Sequence, residues 1–170
     1  MRRLTILFSS VLLMAGTVAA GEQVTESRSD EVQRRGAEVM PFSLEQTTHI
    51  FIKTEDGGIQ QVIAKKNVDA GQVRLIREHL AKISRQFGRG DFSDPARIHG
   101  EDMPGLAALR QAEPGRIRIE FRELGNGAQI AYSADDPELI EAIHRWFDAQ
   151  LKDHARHAIP GHTHGPTYGQ

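Results

Sequence analysis

Eight histidines and no cysteine set the metal chemistry open to this 170-residue chain. Neutral imidazole is the commonest nitrogen ligand for zinc, copper and nickel, and without thiolates it is the best ligand here. Four of the eight fall from residue 154 onward. His154 and His157 stand three apart, close to one helical face, and His162 and His164 alternate as two side chains on one side of an extended segment would. A cysteine-free, histidine-bearing terminus favours Cu(II), Ni(II) or Zn(II) over Cu(I). These four residues are the expected capture set, against the plainer reading of a solvated tail with incidental histidines.

His99-Gly100-Glu101-Asp102-Met103 offers a second constellation, an imidazole and a thioether four apart in a glycine-bearing segment, as copper would take. The plainer reading makes Met103, before Pro104, a plug packed on the core and His99 a hydrogen-bonded anchor. His144 and Asp148 lie one helical turn apart, so the carboxylate can orient the ring as a ligand or base requires. Trp146 and Phe147 imply partial burial there, and an interfacial histidine bonded to backbone is the competing reading. His79 flanks an apolar stripe as a half-buried packing residue, and His49 opens a strand with no role assigned.

Catalytic motifs are missing: there is no Gly-x-Ser-x-Gly, no His-Glu-x-x-His, no phosphate-binding Gly-x-x-x-x-Gly-Lys and no dinucleotide fingerprint. Asp91, Asp94, Glu101 and Asp102 supply loop carboxylates sufficient for acid–base work, although charged loops are usually just solvated. With 21 basic against 23 acidic residues there is no concentrated basic face for nucleic acid.

These side chains need elements to hold them. His49 to Lys53 reads as a strand, Glu55-Asp56-Gly57-Gly58 as a turn and Ile59 to Ala64 as the return strand. Val73, Ile76, Leu80, Ile83 and Phe87 then recur at steps of three and four, a helix ending at Gly88. Gly90 to Pro104 reads as a loop by its Gly, Asp and Pro content, and Leu106 to Gln111 as a short helix. Arg116 to Phe121 alternates strictly, Gly125-Asn126-Gly127 turns, and Ala128 to Tyr132 returns. Asp135 or Asp136 caps a second helix with Pro137 in its first turn and Leu139, Ile143, Trp146 or Phe147, and Leu151 on its apolar face. The expected fold is therefore α+β: repeated β-β-α units giving a four-stranded antiparallel sheet with two helices on one face.

Met1-Arg2-Arg3, an apolar stretch to Val18 and small residues up to Ala20 read as a signal peptide cleaved before Gly21, which places the mature chain in the periplasm or outside the cell. The expected organisation is a signal peptide over 1–20, a polar linker over 21–40, an α+β domain over 41–157 and a histidine-containing flexible tail over 158–170. No membrane attachment is expected after cleavage.

Thr47-Thr48-His49-Ile50-Phe51, Gly57-Gly58-Ile59-Gln60, Gly90-Asp91-Phe92-Ser93-Asp94-Pro95, Ile98-His99-Gly100, Met103-Pro104-Gly105-Leu106 and Trp146-Phe147-Asp148-Ala149-Gln150 together resemble a family of small bacterial proteins. Its members often carry the label aspartate carbamoyltransferase. The resemblance covers about Pro41 to His157. Carbamoyltransferases themselves are larger two-domain enzymes with a Ser-Thr-Arg-Thr phosphate loop that this chain lacks, so no catalytic residue carries over. What the resemblance implies is that the Gly90–Leu106 segment and Trp146–Gln150 act together.

The sequence thus leads to a secreted, non-enzymatic protein binding a transition metal, copper or zinc, for trafficking or buffering. A metal-free module with a protein partner, or a homodimer through a sheet edge, is the second expectation. A small hydrolase or lyase using loop carboxylates with His99 or His144 is the third.

Overall fold

Apolar and polar residues alternate from Thr47, and the chain forms an antiparallel hairpin there in the computed structural model, which describes residues 27–65 and 70–162. Strand β1 spans Thr47–Thr54 and β2 spans Gly57–Ala64. The second hairpin, β3 over Ile117–Leu124 and β4 over Gly127–Ala134, pairs with the first through β4 and β2. One face of the sheet carries His49, Phe51, Val62, Ile130 and Tyr132. On it lie α2, Ala70–Phe87, and α5, Pro137–His154. Asp136 caps α5, its side chain accepting from the Glu138 amide at 2.9 Å with Pro137 in the first turn. Ile76, Leu80, Ile130, Ile143, Trp146 and Phe147 are almost wholly buried between these layers. Burial of that apolar area is the main favourable term in holding helices to sheet.

The α+β class and the paired β-β-α units are as expected, and three details are not. Among the described residues the sheet has five strands, in the order β3-β4-β2-β1-β5, rather than four. The fifth, β5 over Ala158–Pro160, pairs parallel with β1 and begins where the flexible tail was expected. Ala155, at φ 41, redirects the chain from α5 through a short 3-10 turn into β5.

The expected linker contains α1, Arg28–Val39, capped by Ser27. Its charged composition hides a narrow stripe: Val32 and Gly36 are buried one turn apart, and Met40 follows at the same spacing. Two i,i+4 ion pairs, Arg35–Glu31 and Arg34–Glu38, line its outer side. The expected Gly90–Pro104 loop contains α3, Ser93–His99. Pro95 is no obstacle, because a proline in the first turn gives up an amide that has no helical partner. Helix α4, Leu106–Gln111, follows as anticipated.

The Gly90–Leu106 segment does meet Trp146–Gln150. Phe92 stacks on Phe87 at 4.5 Å and meets the Trp146 ring edge-on at 6.0 Å. Gly105, at φ +80, lies so close to α5 that a Cβ would stand 2.1 Å from the Ala142 carbonyl oxygen. The expected signal peptide falls outside the described residues. Among those residues no helix is long and apolar enough to cross a membrane.

Candidate functional site: a buried histidine cluster

Strand alternation points His49 inward with Phe51, and the side chain is 3% exposed. Its ring centroid lies 4.9 Å from that of His154, the last residue of α5. The His154 ring in turn meets that of His99, the last residue of α3, at 5.0 Å and nearly perpendicular. Three imidazoles from three elements therefore form one buried row. They border a cavity of about 40 Å³ that Met40, His79, Trp146 and Gln150 also line. Space of that size holds a few waters or one ion.

Hydrogen bonding within the cluster is uneven. His99 is fixed: its Nδ1 lies 2.9 Å from an oxygen of Asp153. Asp153 accepts two further bonds from Arg28, at 3.1 Å from Nε and 2.7 Å from Nη2, and Arg28 Nη2 also reaches the His99 carbonyl at 2.7 Å. Burial works to raise the Asp153 pKa, but the hydrogen bonds from His99 and Arg28 outweigh it and hold the carboxyl well below the usual range. An ionised Asp153 makes His99 Nδ1 the donor and leaves Nε2 as the ring nitrogen outside that bond. This is the arrangement by which a second-layer carboxylate sets the tautomer of a metal-binding histidine.

His49 is the opposite case. Both its ring nitrogens are buried and neither has a hydrogen-bond partner. Trp146 Nε1 and Gln150 Oε1, on the same cavity, are also buried without partners. Leaving such a group unmade costs roughly 1–3 kcal/mol, so a cluster of them on one cavity is unusual. Burial pushes the His49 pKa down to about 3 and that of His79 to about 4, and it drives that of His154 well below its ordinary value. All three are neutral at pH 7, the state in which imidazole binds metals.

The expected site residues divide. His99 and His154 come together, but as interior residues rather than loop and tail ligands. Met103 is a core residue, 3% exposed, and is not among the residues that line this cavity with His99. His144 does not face Asp148: its Nε2 donates toward the carbonyls of Thr54 at 3.0 Å and Gly57 at 2.8 Å, and Asp148 instead pairs with Lys53 at 2.7 Å. The ring is held by two hairpin carbonyls, and the carboxylate is already neutralised by Lys53. His157 is buried beside β1, and its Nε2 accepts from Arg156 Nε at 3.1 Å, so it is no part of a mobile capture set. His162 is exposed, and His164 lies outside the described residues. Among the loop carboxylates, Glu101 pairs with Arg110, and the buried Asp94 is 3.4 Å from Lys82.

Sequence reasoning missed His49 and His79 as cavity residues, although the His49-x-Phe51 alternation marked the inward face. It also missed Arg28 and Asp153. Among the described residues no group of three or more His, Asp or Glu side chains is already arranged to hold a metal ion. No family model, curated protein or solved structure matches the chain.

Proposed function

We propose that this is an exported, non-enzymatic binding protein that takes a transition-metal ion, copper or zinc, at the interior histidine cluster, for trafficking or buffering. The observation that carries the reading is His49, fully buried with two unpartnered nitrogens, beside His154 on a cavity of ion size. A resident ion gives that imidazole the partner it otherwise lacks. His99, its tautomer set by Asp153 and Arg28, borders the same space. These rings lie about 5 Å apart, one pair tilted and the other edge-on, so small rotations would turn their nitrogens toward a shared ion. The exported location rests on the leader-like first twenty residues.

The test is metal titration of the purified protein beside two variants, His49→Leu and the double variant His162→Ala/His164→Ala. The tail variant keeps β5, which a truncation at His157 would delete. One ion per chain, retained in the tail variant and lost in His49→Leu, is the expected outcome. Binding that disappears with the tail histidines and survives His49→Leu would refute the interior site.

The Asp153–His99 pair favours one second reading, a general base in a hydrolase or lyase, since a carboxylate-oriented imidazole is the common form of such a base. The cavity admits only a very small substrate. Loss of a metal-independent activity in His99→Gln, with metal affinity unchanged, would favour that reading.

A further inference from the structure

Resting on that reading, we infer that the ion is copper in its +1 state, held by the imidazoles of His49 and His154 with the thioether of Met40. Three features of the cavity carry this beyond a generic metal site.

The donors suit a soft ion. Met40, which follows α1 and is 7% exposed, lines the same cavity as His49 and His154. A thioether is a poor ligand for zinc and a selective one for Cu(I). The histidine-bearing terminus alone had favoured Cu(II), Ni(II) or Zn(II), because it contains no sulfur; the folded cavity does.

Coordination number points the same way. Structural zinc asks for four converging donors and catalytic zinc for three protein donors. No His, Asp and Glu group of that size is arranged among the described residues. Cu(I) is satisfied by two nitrogens, or by two nitrogens and a sulfur.

Charge is the third feature. The carboxylates near the site are engaged: Asp153 by Arg28 and His99, Asp94 by Lys82 at 3.4 Å and Arg97 at 3.9 Å. What remains is neutral imidazole and thioether. The Born penalty of burying an ion grows with the square of its charge, so a divalent ion costs about four times what a monovalent one does. A buried set of neutral donors therefore favours the monovalent ion.

Anaerobic titration with Cu(I) against a colorimetric Cu(I) chelator, and with Zn(II) against a zinc indicator, tests this on the wild type, Met40→Leu and His49→Leu. The wild type is expected to bind one Cu(I) at least a hundredfold more tightly than Zn(II). Met40→Leu conserves volume and packing; it should lose at least tenfold in Cu(I) affinity and leave zinc affinity unchanged. X-ray absorption of the Cu(I)-loaded wild type should show one sulfur neighbour beside nitrogen, a readout that needs no variant to fold. Zinc binding as tight as copper, a Cu(I) affinity unmoved by Met40→Leu, or a spectrum without sulfur overturns the copper assignment and leaves the interior metal site standing. Failure of both ions to bind, or binding unchanged in His49→Leu, overturns the two together.

Discussion

His49 is held where chain stability alone would not put it. An inward strand position between Phe42 and Phe51 suits an aliphatic side chain, yet an imidazole occupies it with both nitrogens unpaired. Replacing an unsatisfied buried polar group by an apolar one of similar size removes its desolvation cost. His49→Leu is therefore expected to stabilise the metal-free protein by about 1 kcal/mol, read as a higher denaturant midpoint, while abolishing metal binding. A destabilised His49→Leu would mean that the ring makes contacts worth more than its burial costs.

The neutral state of these rings makes the metal-free fold acid-sensitive. The His49 pKa is about 3 in the folded chain against an ordinary 6.5, and that of His79 about 4. The unfolded chain takes up these protons first, so the stabilising contribution is complete above pH 6.5 and is lost as pH falls from there toward the folded values. Each such ring steepens the loss by up to about 1.4 kcal/mol per pH unit. Urea melts of chelator-treated protein should show a midpoint falling steadily between pH 7 and 5, with a shallower fall in His49→Leu. A flat profile would show that the rings protonate inside the fold.

At the scale of elements, the site depends on how α5 ends and how α1 begins. Ala155 has a positive φ that L side chains rarely adopt, and it turns the chain so that β5 can pair with β1 while His154 stays over His49. Ala155→Gly relieves that strain and is expected to raise stability by about 1 kcal/mol without altering metal affinity, as thermal melts with and without metal would show. Arg28 ties the first turn of α1 to Asp153 and to the end of α3. Its side chain is half exposed, so Arg28→Ala should cost only about 1 kcal/mol. Its larger expected effect is faster amide exchange along α1, which contributes Met40 to the cavity wall.

Legibility in the sequence follows the strength of the local pattern. The two hairpins and the two long helices announce themselves, because alternation and three-four spacing over many residues admit few other readings. Helix α1 does not, since its buried stripe is only Val32, Gly36 and Met40 among charges. β5 is three residues long and gains its stability from the parallel partner, which no local signal specifies. The histidines were visible as a class, but their meeting depends on α3, α5 and β1 converging across long sequence separations.

At the scale of the whole molecule, the layout separates the apolar packing from the buried imidazoles. The helices cover one sheet face, and the largest apolar residues, Trp146, Phe147 and Tyr132, fill its centre. Polar imidazoles gather at the side bounded by α1, α3 and the end of α5. Both sheet edges are blunted, β3 by Arg118, Glu120, Arg122 and Glu123 and β5 by its brevity and Pro160, so edge pairing is discouraged.

The imidazole nitrogens themselves can be watched. Long-range ¹H–¹⁵N correlation spectra of the metal-free protein should show His99 protonated on Nδ1 and His144 on Nε2, as their partners require. On adding one equivalent of Cu(I) or Zn(II), the account predicts that nitrogens of His49 and His154 move to metal-bound shifts while those of His144 and His162 stay in place. Movement confined to His162 and His164, with His49 and His154 unchanged, would contradict it.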